Sequence, residues 1–170
     1  MRFTSAISIN APSRKVWNFV SSPEVWSIIW AKAGKCEQVS PEGGEVGSLY
    51  DMELQQGPNV TILHGEIVGL CPGSMIAVRW TMGHDVPYLS RKLTYHFTYE
   101  LNDDGFGTKV TERFEMTGFG VPIDWAAKLV GWLTYPFQWL ARNTCLQRLK
   151  RVVEGTDGRY GQSRPCDIRR

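Results

Sequence analysis

Within the first thirty residues, the spacing of the apolar side chains changes after about residue 10, which predicts one strand followed by two short helices. In residues 2–9, Phe3, Ser5, Ile7 and Ile9 lie on one side of the chain and Thr4, Ala6 and Ser8 on the other. This alternation is expected for a half-buried strand. Pro12 and the run Ser22-Pro23-Glu24 are helix-start signals. Proline lacks a backbone N–H, and in the first turn of a helix that N–H would have no partner within the helix. We therefore expect helices over about 12–20 and 23–29.

The chain from 35 to 117 predicts antiparallel strands. Turn signals rich in Gly, Pro, Asn and Asp separate about six strand-like runs, and the connections are too short for crossover helices. Alternation is clearest in the last two runs, 92–101 and 108–119. Each of these strands should have one apolar face and one polar face.

The chain from 121 to 154 predicts a long helix, because apolar residues recur there at spacings of three and four. Pro136 should kink or restart this helix, and Gly155 offers a stop. The stretch 125–140 is apolar almost all round, which is more than one sheet face requires. The order of elements predicts an α+β domain.

Length and composition fit a single folded domain. The chain has 170 residues, of which 42% are hydrophobic and 21% charged, as in ordinary globular proteins. We expect this domain to span 1–155 and a flexible basic tail to occupy 156–170. The net charge of +2 is spread along the chain, so no nucleic-acid partner is expected.

No motif for targeting, metal binding or cofactor binding is found. The N-terminus lacks an apolar run of signal-peptide length, and no stretch reaches about 18 uninterrupted apolar residues. We therefore expect a cytoplasmic protein. The cysteines, Cys36, Cys71, Cys145 and Cys166, form no CxxC pair, so we expect reduced thiols, no metal ion and no cofactor.

Four segments together resemble the START-like superfamily, also called SRPBCC or birch-pollen-allergen-like, and within it the polyketide cyclase/dehydrase-like branch. They are "ISINAPSRKVWNFVSSPEVWSIIW" (7–30), "GEIVGLCPGSMIAVRW" (65–80), "GFGTKVTERFEM" (105–116) and "LQRLKRVVEG" (146–155). The resemblance implies a helix-grip fold, in which a strongly curved six- to seven-stranded antiparallel sheet wraps around the long C-terminal helix. Members of the superfamily include lipid and hormone carriers, aromatases, quinone-binding proteins and chaperone activators, so the fold alone does not assign an activity.

The resemblance also implies a cavity between the concave sheet face and the last helix. Its lining should come from the apolar side of each strand, from the second short helix and from the last helix. The residues that this nominates for ligand binding are Trp26, Trp30, Tyr50, Met52, Trp80, Tyr95, Phe97, Tyr99, Phe114, Met116, Leu129, Trp132, Leu133 and Phe137. So many bulky aromatic rings suit a flat or long apolar ligand, although a filled core is the alternative for each residue.

Two polar residues are candidates for proton transfer. Glu112 shares the apolar side of its strand with Val110 and Phe114, where an unpaired carboxylate would be costly. It either enters the cavity as a general acid or base, or lies on the surface at a shifted strand end. The face of the strand on which His64 lies is ambiguous, because Ile62 and Leu63 are both apolar but adjacent, so that only one of them can lie on the inner face.

Three functions fit these features. The first is binding or transport of a small hydrophobic ligand, such as a lipid, polyketide or quinone. The second is a metal-free polyketide cyclase or aromatase in which Glu112, Tyr95 or His64 assists proton transfer. The third is a protein- or membrane-surface role for the stretch 125–140. Either a monomer or a homodimer is compatible with the sequence.

Overall fold

The computed structural model describes residues 2–30, 33–40, 43–56, 58–82, 94–117 and 145–155. The predicted kink at Pro136, the apolar stretch 125–140 and the basic tail 156–170 lie outside the described residues. The division of the chain at residue 155 stays a prediction.

The described part of the chain has the predicted element order. The strands and helices are β1 (Arg2–Ile9), α1 (Ser13–Val20), α2 (Pro23–Ile29), β2 (Ala33–Gln38), β3 (Leu49–Gln56), β4 (Asn59–Cys71), β5 (Met75–Met82), β6 (Thr94–Asp103) and β7 (Thr108–Thr117). Residues 145–154 form a helix, α3. Within these residues, no helix is long and apolar enough to cross a membrane.

The seven strands form one antiparallel, curved sheet in the order β1-β7-β6-β5-β4-β3-β2. The first strand of the chain, β1, therefore pairs with the last one, β7, and the two edges of the sheet are β1 and β2. The helices α1 and α2 connect β1 at one edge to β2 at the other. This is the predicted helix-grip architecture, and it defines an inner face of the sheet, which carries Val78, Tyr99 and Val110, and an outer face.

The ambiguous alternation in β4 has a structural cause. Leu63 and Ile67 are buried on the inner face, opposite Met82 and Val78 of β5. A bulge then shifts the register between Ile67 and Gly69. One extra residue reverses the alternation, so the inward positions are odd-numbered before the bulge and even-numbered after it.

The end of α3 is fixed to the end of β1. Leu149 and Val153 are completely buried in the core. The Lys150 ammonium donates a hydrogen bond to the Ser8 carbonyl at 2.9 Å, and the Glu154 carboxylate accepts one from the Asn10 amide at 2.8 Å. The predicted stop at Gly155 is confirmed, with a φ of 75° that glycine adopts without strain.

A glycine of β4 makes room for the largest buried ring of the sheet. Trp80 is fully buried and lies opposite Gly65. A Cβ atom at position 65 would come within 2.4 Å of the Trp80 ring. Since interiors are packed to the density of organic crystals, this ring has little space into which to move.

We therefore expect Gly65→Ala to lower the free energy of unfolding by about 1–3 kcal/mol, the usual cost of overpacking a core. The measurement is the urea midpoint. Gly69→Ala is the matched control on the same strand, because its added Cβ would lie 3.3 Å from the Ala77 Cβ and requires only a small adjustment. Equal midpoints for the two variants would show that the Trp80 ring moves aside at no cost.

Candidate functional site

Two neighbouring cross-strand rows on the inner face form the candidate site. In register, Ser5 lies opposite Glu112, and Glu112 lies opposite Tyr99; we call these three residues the polar row. Two positions away along the strands, Phe3 lies opposite Phe114, and Phe114 opposite Phe97; these form the aromatic row. The rows lie side by side because residues i and i+2 of a strand point to the same face.

The aromatic row is a continuous series of ring contacts. The Phe114 ring centroid lies 4.8 Å from that of Phe97, 6.0 Å from Tyr95 and 6.1 Å from Phe3. Trp30, at the end of α2, places its ring centroid 4.4 Å from that of Phe97. All five rings are only partly buried.

The polar row places a carboxyl group in this apolar surface. Glu112 is 2% exposed and Tyr99 is 3% exposed. The Tyr99 hydroxyl donates a hydrogen bond to Glu112 Oε1 at 3.3 Å, and Trp30 Nε1 donates one to the Tyr99 oxygen at 3.5 Å. The expectation that Glu112 shares a face with Val110 and Phe114 is confirmed. The alternative of a surface glutamate is wrong, because β1 and β6 flank β7 and cover Glu112 from both sides.

Tyr99 is held neutral by its surroundings. Burial raises the pKa of Tyr99 well above its ordinary value of 10.0, and the nearby Glu112 raises it further, with a smaller contribution from Cys145 of α3. The hydrogen bond from Trp30 acts in the opposite direction, because it stabilises the phenolate. The phenol therefore stays protonated at neutral pH and can donate to Glu112.

The other half of the inner face is filled core. Trp26, Tyr50, Met52 and Trp80 are each at most 2% exposed. The Trp26 and Trp80 rings meet edge to face with centroids 5.7 Å apart, and the Trp26 indole donates to the Val20 carbonyl at 2.9 Å. These four residues, which the sequence nominated for ligand contact, belong to the hydrophobic core and not to the two rows.

His64 lies on the outer face, away from the polar row. Its side chain is 60% exposed, and its Nδ1 lies 2.7 Å from Asp51 Oδ1. It borders an open depression that also involves Arg79, Thr81 and Thr94. His64 alternates with the buried Leu63, so it lies on the outer face and not in the predicted cavity.

The remaining predicted lining residues divide into two groups. Met116 lies opposite Tyr95 and is partly buried, so it extends the candidate site along β7. The predicted far wall lies outside the described residues and stays a prediction; it consists of Leu129, Trp132, Leu133 and Phe137. No cluster of three or more His, Cys, Asp or Glu side chains suited to a metal ion occurs among the described residues.

Residues 1–154 match a family described as "Polyketide cyclase / dehydrase and lipid transport". The chain belongs to this family. The match covers the sheet, all the described helices and both rows of the candidate site. None of the curated proteins matches the sequence.

Solved structures share the fold of this polyketide cyclase/dehydrase and lipid transport family member. Protein CV1439 from Chromobacterium violaceum is 18% identical, with a TM-score of 0.61 over 90% of this chain and 96% of that one. The KanY protein is 20% identical, with a TM-score of 0.61 over 91% and 98%. Ara h 8.0201 is 14% identical, with a TM-score of 0.58 over 91% and 98%. At these identities the likeness shows the fold, and it confirms the helix-grip prediction.

The sequence pattern nominated neither Phe3 nor Ser5 for the site. The alternation of β1 puts Phe3 and Ser5 on its inward side, but only the pairing of β1 with β7 brings them beside Phe114 and Glu112. Nothing in the sequence pattern aligns these positions in register.

The raised pKa of Tyr99 predicts that this family member loses stability at high pH. An unfolded chain releases the tyrosine proton near pH 10.0, whereas the folded chain retains it. The contribution to folding is therefore complete below pH 10 and is lost as the pH rises towards the raised pKa of folded Tyr99. We expect the free energy of unfolding to fall less steeply above about pH 10 in Tyr99→Phe than in the parent protein, as measured by urea denaturation.

Tyr95→Phe is the matched control. Burial also raises the pKa of Tyr95, but this side chain is only partly covered, so its replacement should flatten the curve less. Parallel curves for the parent protein and Tyr99→Phe would contradict the retained proton.

Proposed function

We propose that the protein binds a small hydrophobic molecule that contains a ring, placed against the aromatic row with its polar end at the polar row. The observation that carries this proposal is the Glu112–Tyr99 pair, buried at the border of an otherwise apolar, partly open aromatic surface. A carboxyl group in such a place costs stability unless polar contacts compensate it. A site that orients a ligand accounts for its presence there.

Burial of apolar surface supplies the driving force in this proposal. At about 25 cal/mol per Å² of apolar surface removed from water, covering roughly 100 Å² of ring surface contributes about 2.5 kcal/mol. Rings at the observed centroid separations, 4.4 to 6.1 Å, also suit tilted stacking with an additional ring. Few polar groups are then needed, because they set orientation rather than most of the affinity.

The family description supports this role, since it includes lipid transport. A lipid, a polyketide and another aromatic compound all satisfy the apolar requirement. We keep as expectations that the protein acts in the cytoplasm, that it binds no nucleic acid, and that it is a monomer or a homodimer.

A cyclase or aromatase activity is the second candidate. The observation in its favour is the 3.3 Å contact between the buried Glu112 carboxyl and the Tyr99 hydroxyl, two groups that can exchange a proton with a bound polyketide. The family description also names polyketide cyclases and dehydrases. A carrier releases its ligand unchanged, whereas an enzyme of this class alters its mass or its ring structure. Mass spectrometry of a polyketide before and after incubation distinguishes the two.

The binding proposal predicts that Phe114→Ala weakens binding of N-phenyl-1-naphthylamine, an uncharged fluorescent probe, by about tenfold. Phe114 lies at the centre of the aromatic row, and a lost aromatic contact of about 1.4 kcal/mol corresponds to this factor. Fluorescence titration measures the dissociation constant.

Phe106→Ala is the matched control, because Phe106 is 92% exposed in the turn between β6 and β7. This variant should bind the probe as the parent protein does. If both variants bind equally well, the aromatic row is not the binding surface. Circular dichroism shows whether Phe114→Ala is folded, and Phe114→Leu replaces it if it is not.

A further inference from the structure

We propose that the hydroxyl of Ser5 binds the polar end of the ligand, and that this polar end is a hydroxyl or a carbonyl group. This inference rests on the proposed function and adds to it a specificity-determining residue on β1. It follows from the exposure of Ser5 within the polar row and from its position next to the aromatic row.

Exposure distinguishes the three members of the polar row. Glu112 is 2% exposed and Tyr99 is 3% exposed, and the two are hydrogen-bonded to each other. Ser5 is only partly buried, on an edge strand that has a neighbouring strand on one side only. Of these three polar side chains, Ser5 is therefore the one that presents surface to an incoming molecule.

The burial pattern of β1 places Ser5 on the inner face. Ile9 is 1% exposed in the core, and Ile7 packs against the core. Thr4 and Ala6 are exposed. Since alternate residues of a strand share a face, Ser5 lies on the same side as the two isoleucines. Its hydroxyl thus belongs to the face that carries both rows.

Ser5 borders the aromatic row as well as the polar row. Phe3 precedes it by two residues, about 7 Å along the strand, and the Phe3 ring centroid lies 6.1 Å from that of Phe114. In register, Phe3 lies opposite Phe114, and Ser5 lies opposite Glu112. A ring seated against Phe3 and Phe114 therefore brings a substituent on its edge towards the Ser5 hydroxyl.

The chemistry of a serine hydroxyl defines the polar end that it can bind. The hydroxyl has one proton to donate and two lone pairs that accept, and its proton rotates to suit the partner. Ser5 can therefore accept a hydrogen bond from a ligand hydroxyl or donate one to a ligand carbonyl oxygen. Neither contact requires a charge on the neighbouring Glu112.

The test compares 1-naphthol with 1-methylnaphthalene, in which a methyl group of similar size replaces the hydroxyl. We expect Ser5→Ala to weaken the binding of 1-naphthol about fivefold, the usual effect of losing one hydrogen bond between neutral groups. The same variant should bind 1-methylnaphthalene as the parent protein does, because no hydrogen bond is lost with that compound. Isothermal titration calorimetry gives the four dissociation constants.

Thr4→Ala is the matched control. It removes a hydroxyl from the adjacent residue of the same strand, but Thr4 is exposed on the outer face, so both affinities should stay unchanged. If Ser5→Ala is not folded by circular dichroism, Ser5→Thr and Ser5→Val replace it. These two variants have the same shape, and only Ser5→Thr keeps the hydroxyl, so only Ser5→Val should lose affinity for 1-naphthol.

Two results would contradict the inference in different ways. If removal of the Ser5 hydroxyl leaves both affinities unchanged, or weakens both equally, Ser5 does not bind the polar end, and the proposed function still stands. If the parent protein binds neither compound, the inference and the proposed function are both wrong.

Discussion

The pairing of the first strand with the last one is the constraint on which the candidate site depends. Without β1 beside it, β7 would be an edge strand, and Glu112 would have water on one side. With β1 in place, Glu112 lies between Ser5 and Tyr99 in an apolar surface. Glu112 is almost fully buried there, and electrostatic interactions of this carboxyl group become stronger than they would be at the surface.

The same pairing organises the two halves of the inner face. On the side of β2 to β5, large side chains are almost completely buried, and glycine at position 65 accommodates the Trp80 ring. On the side of β6, β7 and β1, Phe3, Tyr95, Phe97 and Phe114 are partly covered, and Ser5, Tyr99 and Glu112 form the polar row. The partly covered rings and the polar row together form the candidate site.

Sequence predicted the faces of the strands better than their alignment. In β6 and β7 the regular alternation placed Tyr99 and Glu112 on the inner side, because one face is apolar and the other polar. In β4 the apolar Val60 and Ile62 are exposed on the outer face while Leu63 is buried on the inner one, so the side of His64 could not be read from the apolar pattern. The strand β2, with the sequence "AGKCEQ", has no alternation at all and is recognised as a strand only through its pairing with β3. Cross-strand register depends on pairing that no single segment encodes, which is why the two rows emerged only from the structure.

The position of Trp30 links the second helix to the chemistry of the sheet. Its backbone amide ends α2 by donating to the Trp26 carbonyl at 2.9 Å, and Trp26 is locked into the core. The Trp30 indole is therefore held near Tyr99 before any ligand arrives. For a ligand bound as proposed, little conformational entropy would have to be lost at this point, and more of the interaction energy would be retained as affinity.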